Sequence, residues 1–253
     1  MQVGARTVAA NLQSSAYRPQ SNLPVGVDFS YVNEQLAGRA IGRRARLLEK
    51  VEGRSRLIVE EALEDKLVFR TPFGPDSFSA DLERVARMVA ARNQLGARRQ
   101  IFFVHFDGWD HHHKLLENQA MMLPILSRGL AAFRDALVEC QAFCDVTTFT
   151  TSEFGRSLES NGSGSDHGWG GHHIAMGGAV HGGRIRGDYP NLANGSSLDI
   201  GGGCFMPTTS TEEYLAELVL WLGVPVSDLP YVLPDVSKFW SPNSGTSPVG
   251  LLT

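Results

Sequence analysis

Apolar residues recur at three- and four-residue steps in three stretches of the chain, and this period predicts three amphipathic helices. The first helix covers residues 81–95, with Ser79 as its N-cap. The second covers residues 113–143, and the third covers residues 211–223, with a cap among residues 208–210 and Gly223 at its C′ position. Weaker helical patterns occupy residues 31–51 and 55–66. The inward positions are Leu82, Val85, Met88 and Val89, then Leu123, Leu126, Leu130, Phe133, Leu137 and Cys140, and finally Leu215, Leu218 and Leu222.

Two short β-branched and aromatic runs, residues 100–106 and 145–151, flank the second helix and predict buried strands. A strand, a helix and a second strand, with polar residues after each strand, indicate a βαβ unit and therefore a parallel sheet. Ligands of such sheets bind beyond the carboxyl ends of the strands. We therefore expect a functional site formed by the residues that follow 106 and 151.

The chain is predicted to have three segments. Residues 1–78 are irregular and helical, residues 79–240 form an α/β core that carries the site, and residues 241–253 form a flexible tail rich in Pro, Ser and Gly. With 42% hydrophobic and 20% charged residues the composition is that of a globular protein. The formal charge of −4 argues against a nucleic-acid partner, and no apolar run is long enough to span a membrane. The three cysteines show no disulfide or zinc-finger spacing.

All eight histidines lie between His105 and His181, in two groups that also contain carboxylates. Neutral imidazole together with carboxylate suits a divalent metal ion such as zinc, manganese or iron. Asp110 and His112 can present both side chains to one ion, and Asp107 with His111 forms a competing pair. His105 and His181 are interpreted as structural.

The second histidine group lies in the glycine-laden residues 152–189, together with Glu153, Arg156 and Asp166. Each motif also has a plainer interpretation. Residues 111–113 suit an exposed polar turn, and Asp166 with His167 suits an Asx-type turn. Glu153 and Arg156 could form a local ion pair that holds the loop. Two clusters at the ends of neighbouring strands favour a site over these separate explanations.

The motifs GWD-x-H, TTSEFGR, DHGWGGHH, MGGAV-x-GG-x-I-x-GDYP and PTTSTEEYLAELVLWLG, taken together, resemble the bacterial DUF1501 family. The resemblance covers about residues 81–239. That family is grouped with the alkaline phosphatase/sulfatase-like superfamily. The resemblance therefore implies a three-layer α/β/α sandwich with a mostly parallel sheet and metal ions at the carboxyl ends of its strands. It also implies cleavage of phosphate or sulfate esters.

Site residues follow from the resemblance motif by motif. The resemblance implies that residues of the GWD-x-H, SEFGR and DHGxGGH motifs bind a divalent ion. We expect this ion to be zinc, manganese or calcium. From the clustered ligand chemistry we further expect Arg156 to bind a tetrahedral anion and Asp166 to orient a ligating imidazole. The implied metal ligands are Asp110, His112, Glu153, His167 and His172.

Two departures from the family pattern bear on function. Phe154 follows Glu153 where the wider superfamily often has a histidine. Family chains usually carry a further N-terminal portion with the Ser/Thr nucleophile, often after a twin-arginine leader, and this chain is expected to lack that part. A parent chain with the leader would be periplasmic or exported. We therefore predict a metal-dependent hydrolase of small-molecule or polymeric esters or, alternatively, a non-catalytic metal- or anion-binding, export-associated protein of the same fold.

Overall fold

The computed structural model describes residues 7–12, 68–96, 98–193 and 195–252, with the backbone alone described for residues 7–12. The helical patterns at residues 31–51 and 55–66 lie outside these ranges. The chain divides into two compact units. The first comprises Met1–Asp107 and Met121–Ala142, and the second comprises Gly108–Ala120 and Phe143–Thr253.

In the first unit, strand β1 (Thr7–Leu12) pairs in parallel with strand β2 (Arg99–Val104). Helix α1 (Ser77–Ala90) is followed by the short helix α2 (Arg92–Leu95). The prediction of Ser79 as N-cap is wrong, because the helix begins at Ser77 and its N-cap is Asp76. The Asp76 carboxylate accepts the Ser79 N–H at 2.8 Å. The inward positions of α1 are buried as predicted: Leu82, Val85, Met88 and Val89.

Helix α3 (Leu115–Glu139) lies within the predicted range of residues 113–143, and Pro124 is inside it without ending it. Its predicted inward stripe is only partly buried. Phe133 and Leu137 are buried, whereas Leu123 is 48% exposed. A Cβ atom on Gly129 would lie 2.7 Å from the Phe78 ring, so the glycine leaves room for that ring in the core of the first unit.

The strands of the second unit form two antiparallel pairs. Strand β3 (Thr147–Phe149) pairs with β6 (Ala175–Gly177), and β4 (Gly155–Ser160) pairs with β5 (Ser165–Gly168). Among the described strands β2 pairs with β1 and β3 pairs with β6, so the predicted βαβ unit stays a prediction. The described residues have mixed helix and strand content, and the predicted three-layer parallel sandwich is not seen among them. The apolar pattern identified both strands, but their predicted burial is wrong, since Ile101 and Phe103 of β2 are 43% and 52% exposed and Phe149 of β3 is 38% exposed. The pattern also contains no information on their partners.

Helix α4 (Thr211–Leu222) follows the sequence prediction closely. Ser210 and Glu213 form a capping box, and Gly223 ends the helix with φ of 97°. The helix packs with α5 (Leu229–Val232) around Ala216 and Leu229. Within the described ranges, no helix has both the length and the apolar character that a membrane crossing requires.

The C-terminal residues contact α4 through one buried carboxylate. Glu217 is 5% exposed and accepts the backbone N–H groups of Val249 at 2.9 Å, Gly250 at 3.2 Å and Leu252 at 2.9 Å. These bonds satisfy an otherwise costly buried charge. The flexibility predicted for residues 241–253 stays a prediction, and these three bonds limit it near the end of the segment.

Candidate metal centre

The first ligand pair lies on the loop between β2 and α3. The His111 N–H donates to the Trp109 carbonyl at 2.9 Å, and the His112 N–H donates to the Asp110 carbonyl at 3.0 Å. The His111 carbonyl in turn accepts the Ser165 N–H at 3.3 Å. This backbone bond joins the loop to the β4–β5 hairpin, so two segments about fifty residues apart in sequence share one local structure.

The β4–β5 hairpin carries the other candidate residues. In its register Gly155 lies opposite Gly168, and Arg156 lies opposite His167. A Cβ atom on Gly155 would overlap the carbonyl oxygen of Gly170, so glycine is required for this close approach. At the turn, the Asn161 side-chain oxygen accepts the Gly164 N–H at 2.8 Å. Directly opposed residues of antiparallel strands project to the same face, which brings Arg156 beside His167.

Three candidate ligand atoms converge at this junction. Nε2 of His112 and Nε2 of His167 each lie 3.0 Å from Oδ1 of Asp110, and the two nitrogens are 3.1 Å apart. The three side chains are between 41% and 52% exposed, so solvent reaches the group. The convergence of Asp110, His112 and His167 was expected from the sequence, and the group could hold a metal ion.

Arg156 contributes the positive charge nearest to this group. Its Nη1 lies 2.5 Å from Asp110 Oδ1, Nε donates to Ser165 Oγ at 3.3 Å, and Nη2 donates to the Ser165 carbonyl. Partial desolvation raises the pKa of Asp110, but hydrogen bonds from Arg156 and His167 outweigh it and leave the pKa below its ordinary value. The carboxylate is therefore ionised and available to a cation at neutral pH.

Asp166 lies behind His112. Its Oδ1 is 3.3 Å from His112 Nδ1 and accepts an N–H of the Asn161 side chain at 3.1 Å. The bond from Asn161 is the largest cause of a lowered Asp166 pKa, and the hydrogen bond and charge of His112 add to it. Both nitrogens of His112 thus face a carboxylate, and with a cation at Nε2 the Asp166 carboxylate would hold the imidazole proton on Nδ1.

The competing ligand pair of Asp107 and His111 is not part of this group. His111 is 2% exposed, and its Nδ1 is 3.4 Å from the Asn118 side-chain nitrogen. Burial, and next the positive charge of Arg156, lower the pKa of His111. Asp107 instead contacts His105, with 3.0 Å between Oδ1 and Nε2. The geometry favours Asp110 and His112 as the pair that faces an ion.

Two predicted ligands lie outside the donor group. Glu153 is exposed, and His172 is exposed with its ring stacked on Tyr189 at a centroid distance of 5.3 Å. Ligand roles for these two residues stay predictions. The neighbouring His173 is exposed but stacks on Tyr214, and partial desolvation lowers its pKa. The sequence allowed a local ion pair between Glu153 and Arg156. In the described residues Arg156 is paired with Asp110 instead.

Two contacting residues, Asn161 and Ser165, were not singled out from the sequence, and a third, Phe154, was noted only as a departure from the superfamily pattern. Phe154 stacks on His167, Asn161 bonds Asp166, and Ser165 accepts two bonds from Arg156. The run SNGSG around Asn161 is a turn pattern and could have indicated the hairpin that brings Arg156 and His167 together. Nothing in the sequence alone indicates that Phe154 and His167 meet.

The chemistry and spacing of the donor atoms fit a divalent ion. Tetrahedral zinc with bonds of about 2.0–2.1 Å has ligand atoms about 3.3–3.4 Å apart. The observed separations of 3.0–3.1 Å are close to that value. One carboxylate and two imidazoles form a borderline donor set suited to zinc, manganese or iron. Three protein ligands leave a coordination position open, as in catalytic zinc sites.

A family model described as "Protein of unknown function (DUF1501)" matches residues 6–199. The match covers most of the chain and includes every residue of the donor group, so the chain belongs to the DUF1501 family. Searches of curated proteins and of solved structures gave no match. The family description assigns no activity, and function must be argued from the site.

Proposed function

We propose that this DUF1501 protein is a metal-dependent hydrolase of phosphate or sulfate esters. The observation that carries the proposal is the convergence of Asp110, His112 and His167 on one exposed point, with the guanidinium of Arg156 beside it. A Lewis acid and a second cation both promote hydrolysis of such esters, because they stabilise the negative charge on the transferring group. The three-layer sandwich of the alkaline phosphatase/sulfatase-like superfamily is part of the same proposal.

Each residue has a defined task in this proposal. Asp110, His112 and His167 would hold a divalent ion, whose chemistry is to polarise the ester oxygen and to lower the pKa of a bound water. With an ion at Nε2 of His112, Asp166 would hold the imidazole proton on Nδ1. Arg156 is held by Ser165 through Nε and Nη2, which leaves Nη1 as the nitrogen that would bind an ester oxygen.

Arg156 also links the substrate anion to the donor group. Its Nη1 donates to Asp110 Oδ1, the same oxygen that lies 3.0 Å from both imidazoles. An ester anion would compete with Asp110 for this N–H. The hydrogen bonds to Ser165 do not involve Nη1 and would keep the side chain in place. The proposal therefore assigns Arg156 to anion binding without a large movement.

The experiment is metal analysis and activity of protein purified without a histidine tag. We expect about one divalent ion per chain and turnover of p-nitrophenyl phosphate or p-nitrophenyl sulfate. His167→Ala should remove both, while His172→Ala, a matched change outside the donor group, should retain the ion. Absence of a bound ion after incubation with zinc, manganese and calcium, together with no turnover, would refute the proposal.

A non-catalytic metal- or anion-binding protein is the second candidate. It is favoured by the ion pair between Arg156 and Asp110, because this pair and the two imidazoles already satisfy one another's charge and hydrogen bonds. This candidate predicts binding of zinc or sulfate with no turnover of any ester in the panel. Zinc occupancy of the wild type, with activity absent, would select it.

A further inference from the structure

Phe154 lies flat against one of the three candidate ligands. Its ring and the imidazole of His167 have centroids 3.8 Å apart and planes inclined by 15°. The side chain of His167 is 51% exposed, and its Nε2 also lies 3.0 Å from Asp110 and 3.1 Å from His112. Terminal ring torsions of histidine are broad and roughly two-fold. The stack restrains the plane of the ring, which contacts at one edge atom leave free to tilt.

The hairpin is built so that these rings meet. Phe154 directly precedes β4, and the register sets Gly155 opposite Gly168 next to the stacked pair. A Cβ atom on Gly168 would lie 2.7 Å from the Arg156 carbonyl carbon, so only glycine permits this strand spacing. The Ser152 hydroxyl donates to the Phe154 carbonyl at 2.9 Å and fixes the backbone where the ring begins.

The same ring contacts the proposed anion-binding residue. The guanidinium carbon of Arg156 is 5.8 Å from the Phe154 ring centroid, within the range of a cation–π contact. Residues 154 and 156 are two apart along an extended segment, so they project to the same face. Phe154 therefore contacts both Arg156, which is the ion-pair partner of Asp110, and His167, which is a candidate ligand of the ion.

We infer that Phe154 is a positioning residue, which holds the His167 ring in the plane that points Nε2 at Asp110 and His112. The inference rests on the proposed metal site. It gives the departure from the superfamily pattern a physical explanation, because the residue after Glu153 acts on a ligand through stacking instead of ligating. Fixing a ligand before the ion arrives removes an entropic cost of binding.

The test uses zinc alone as the probe and the full, untagged chain. Phe154→Leu and Phe154→Met keep apolar volume but remove the aromatic face, and Phe154→Tyr restores that face. A stacked aromatic pair contributes about 0.5–1.5 kcal/mol beyond its buried area, which corresponds to a two- to twelve-fold loss of zinc affinity. Phe149→Leu is the matched control, because Phe149 is 38% exposed and meets Tyr214 edge-on away from the donor group.

The second measurement is the proton NMR spectrum of the metal-free protein. Protons above an aromatic face are shifted upfield, so the imidazole C–H signals of His167 should move downfield in Phe154→Leu and stay near wild type in Phe154→Tyr. The inference is supported if zinc binds more weakly to Phe154→Leu and Phe154→Met, while Phe154→Tyr and the Phe149→Leu control keep wild-type affinity.

Two results would overturn the inference, and they are distinguishable. If the His167 signals move but zinc affinity stays at the wild-type value in Phe154→Leu, Phe154 does not position the ligand and the proposed function survives. If wild-type protein fails to bind zinc, the metal site itself is wrong and the inference falls with it. Unmoved His167 signals in both Phe154→Leu and Phe154→Met would show that the stack does not form in solution, which also overturns the inference.

Discussion

Asp166 gives the sharpest test of the metal centre, because it contacts a candidate ligand without belonging to the donor group. Its Oδ1 serves two donors, His112 Nδ1 at 3.3 Å and the Asn161 side chain at 3.1 Å. In Asp166→Asn the remaining carbonyl oxygen can keep both contacts, so this variant removes the charge and preserves the geometry. Asp166→Ala removes the charge and both contacts.

The magnitude follows from the kind of interaction and from its exposure. Loss of a carboxylate that supports a ligating imidazole lowers metal affinity by about 10- to 100-fold. Because the Asp166 side chain is 70% exposed, solvent screening favours the low end of that range or less. We therefore expect about three-fold weaker zinc binding for Asp166→Asn and about ten-fold weaker binding for Asp166→Ala, the latter equal to about 1.4 kcal/mol.

The assay is a competition titration of zinc against a chromophoric chelator at low ionic strength, with untagged protein. Asp235→Asn is the matched control, since it removes an exposed carboxylate that is paired with Lys238 instead of a histidine. Zinc affinity of Asp166→Ala equal to that of the wild type and the control would refute the assignment of Asp166 as the residue that orients His112.

Three further predictions concern the second unit: its stability, the titration of one tyrosine, and the effect of a glycine substitution near the donor group. Glu217→Gln loses the charge that binds three backbone N–H groups and should lower the free energy of unfolding in urea by about 2 kcal/mol, whereas the exposed Glu159→Gln should leave it unchanged. Burial raises the pKa of Tyr214 to about 12, so an absorbance titration should show one late tyrosine that Tyr214→Phe removes. The stability that Tyr214 contributes is then present below pH about 10 and lost as pH rises through about 12. Gly155→Ala should lower the free energy of unfolding by about 1–3 kcal/mol and weaken zinc binding, because the added Cβ would overlap the Gly170 carbonyl. Gly171→Ala should change neither quantity, since its Cβ would have only an ordinary contact at 3.7 Å.

Local features of the fold were predictable from the sequence, and pairing between distant segments was not. The helix cap among residues 208–210 and the buried face of α1 were predicted from residue spacing alone, and both are confirmed, the cap at Ser210. The partner of β3 depends on residues 175–177, about thirty positions away, and the apolar pattern holds no information on that choice. The N-cap prediction failed because Asp76 and Ser79 are both good capping residues, and only the backbone decides between them.

The candidate site was predicted to a similar depth. Residue chemistry pointed to a metal site but left Asp110 with His112 and Asp107 with His111 as alternatives, and the family resemblance supplied His167. Neither could separate these ligands from Glu153 and His172, since glycine-rich loops place neighbouring side chains on different sides. The role proposed for Phe154 was hidden for another reason. Stacking depends on the register of β4 and β5, and the sequence around Phe154 does not indicate which ring it will contact.

The balance of charge around Asp110 has a consequence for the order in which ligands arrive. With the imidazoles counted as neutral, the two carboxylates Asp110 and Asp166 outnumber the one guanidinium of Arg156 by a single negative charge. Such a surface repels sulfate and phosphate and attracts cations. Addition of a divalent cation would invert the local sign to a single positive charge. Oxyanions should therefore bind only after the cation has bound. Removal of the cation should abolish their binding.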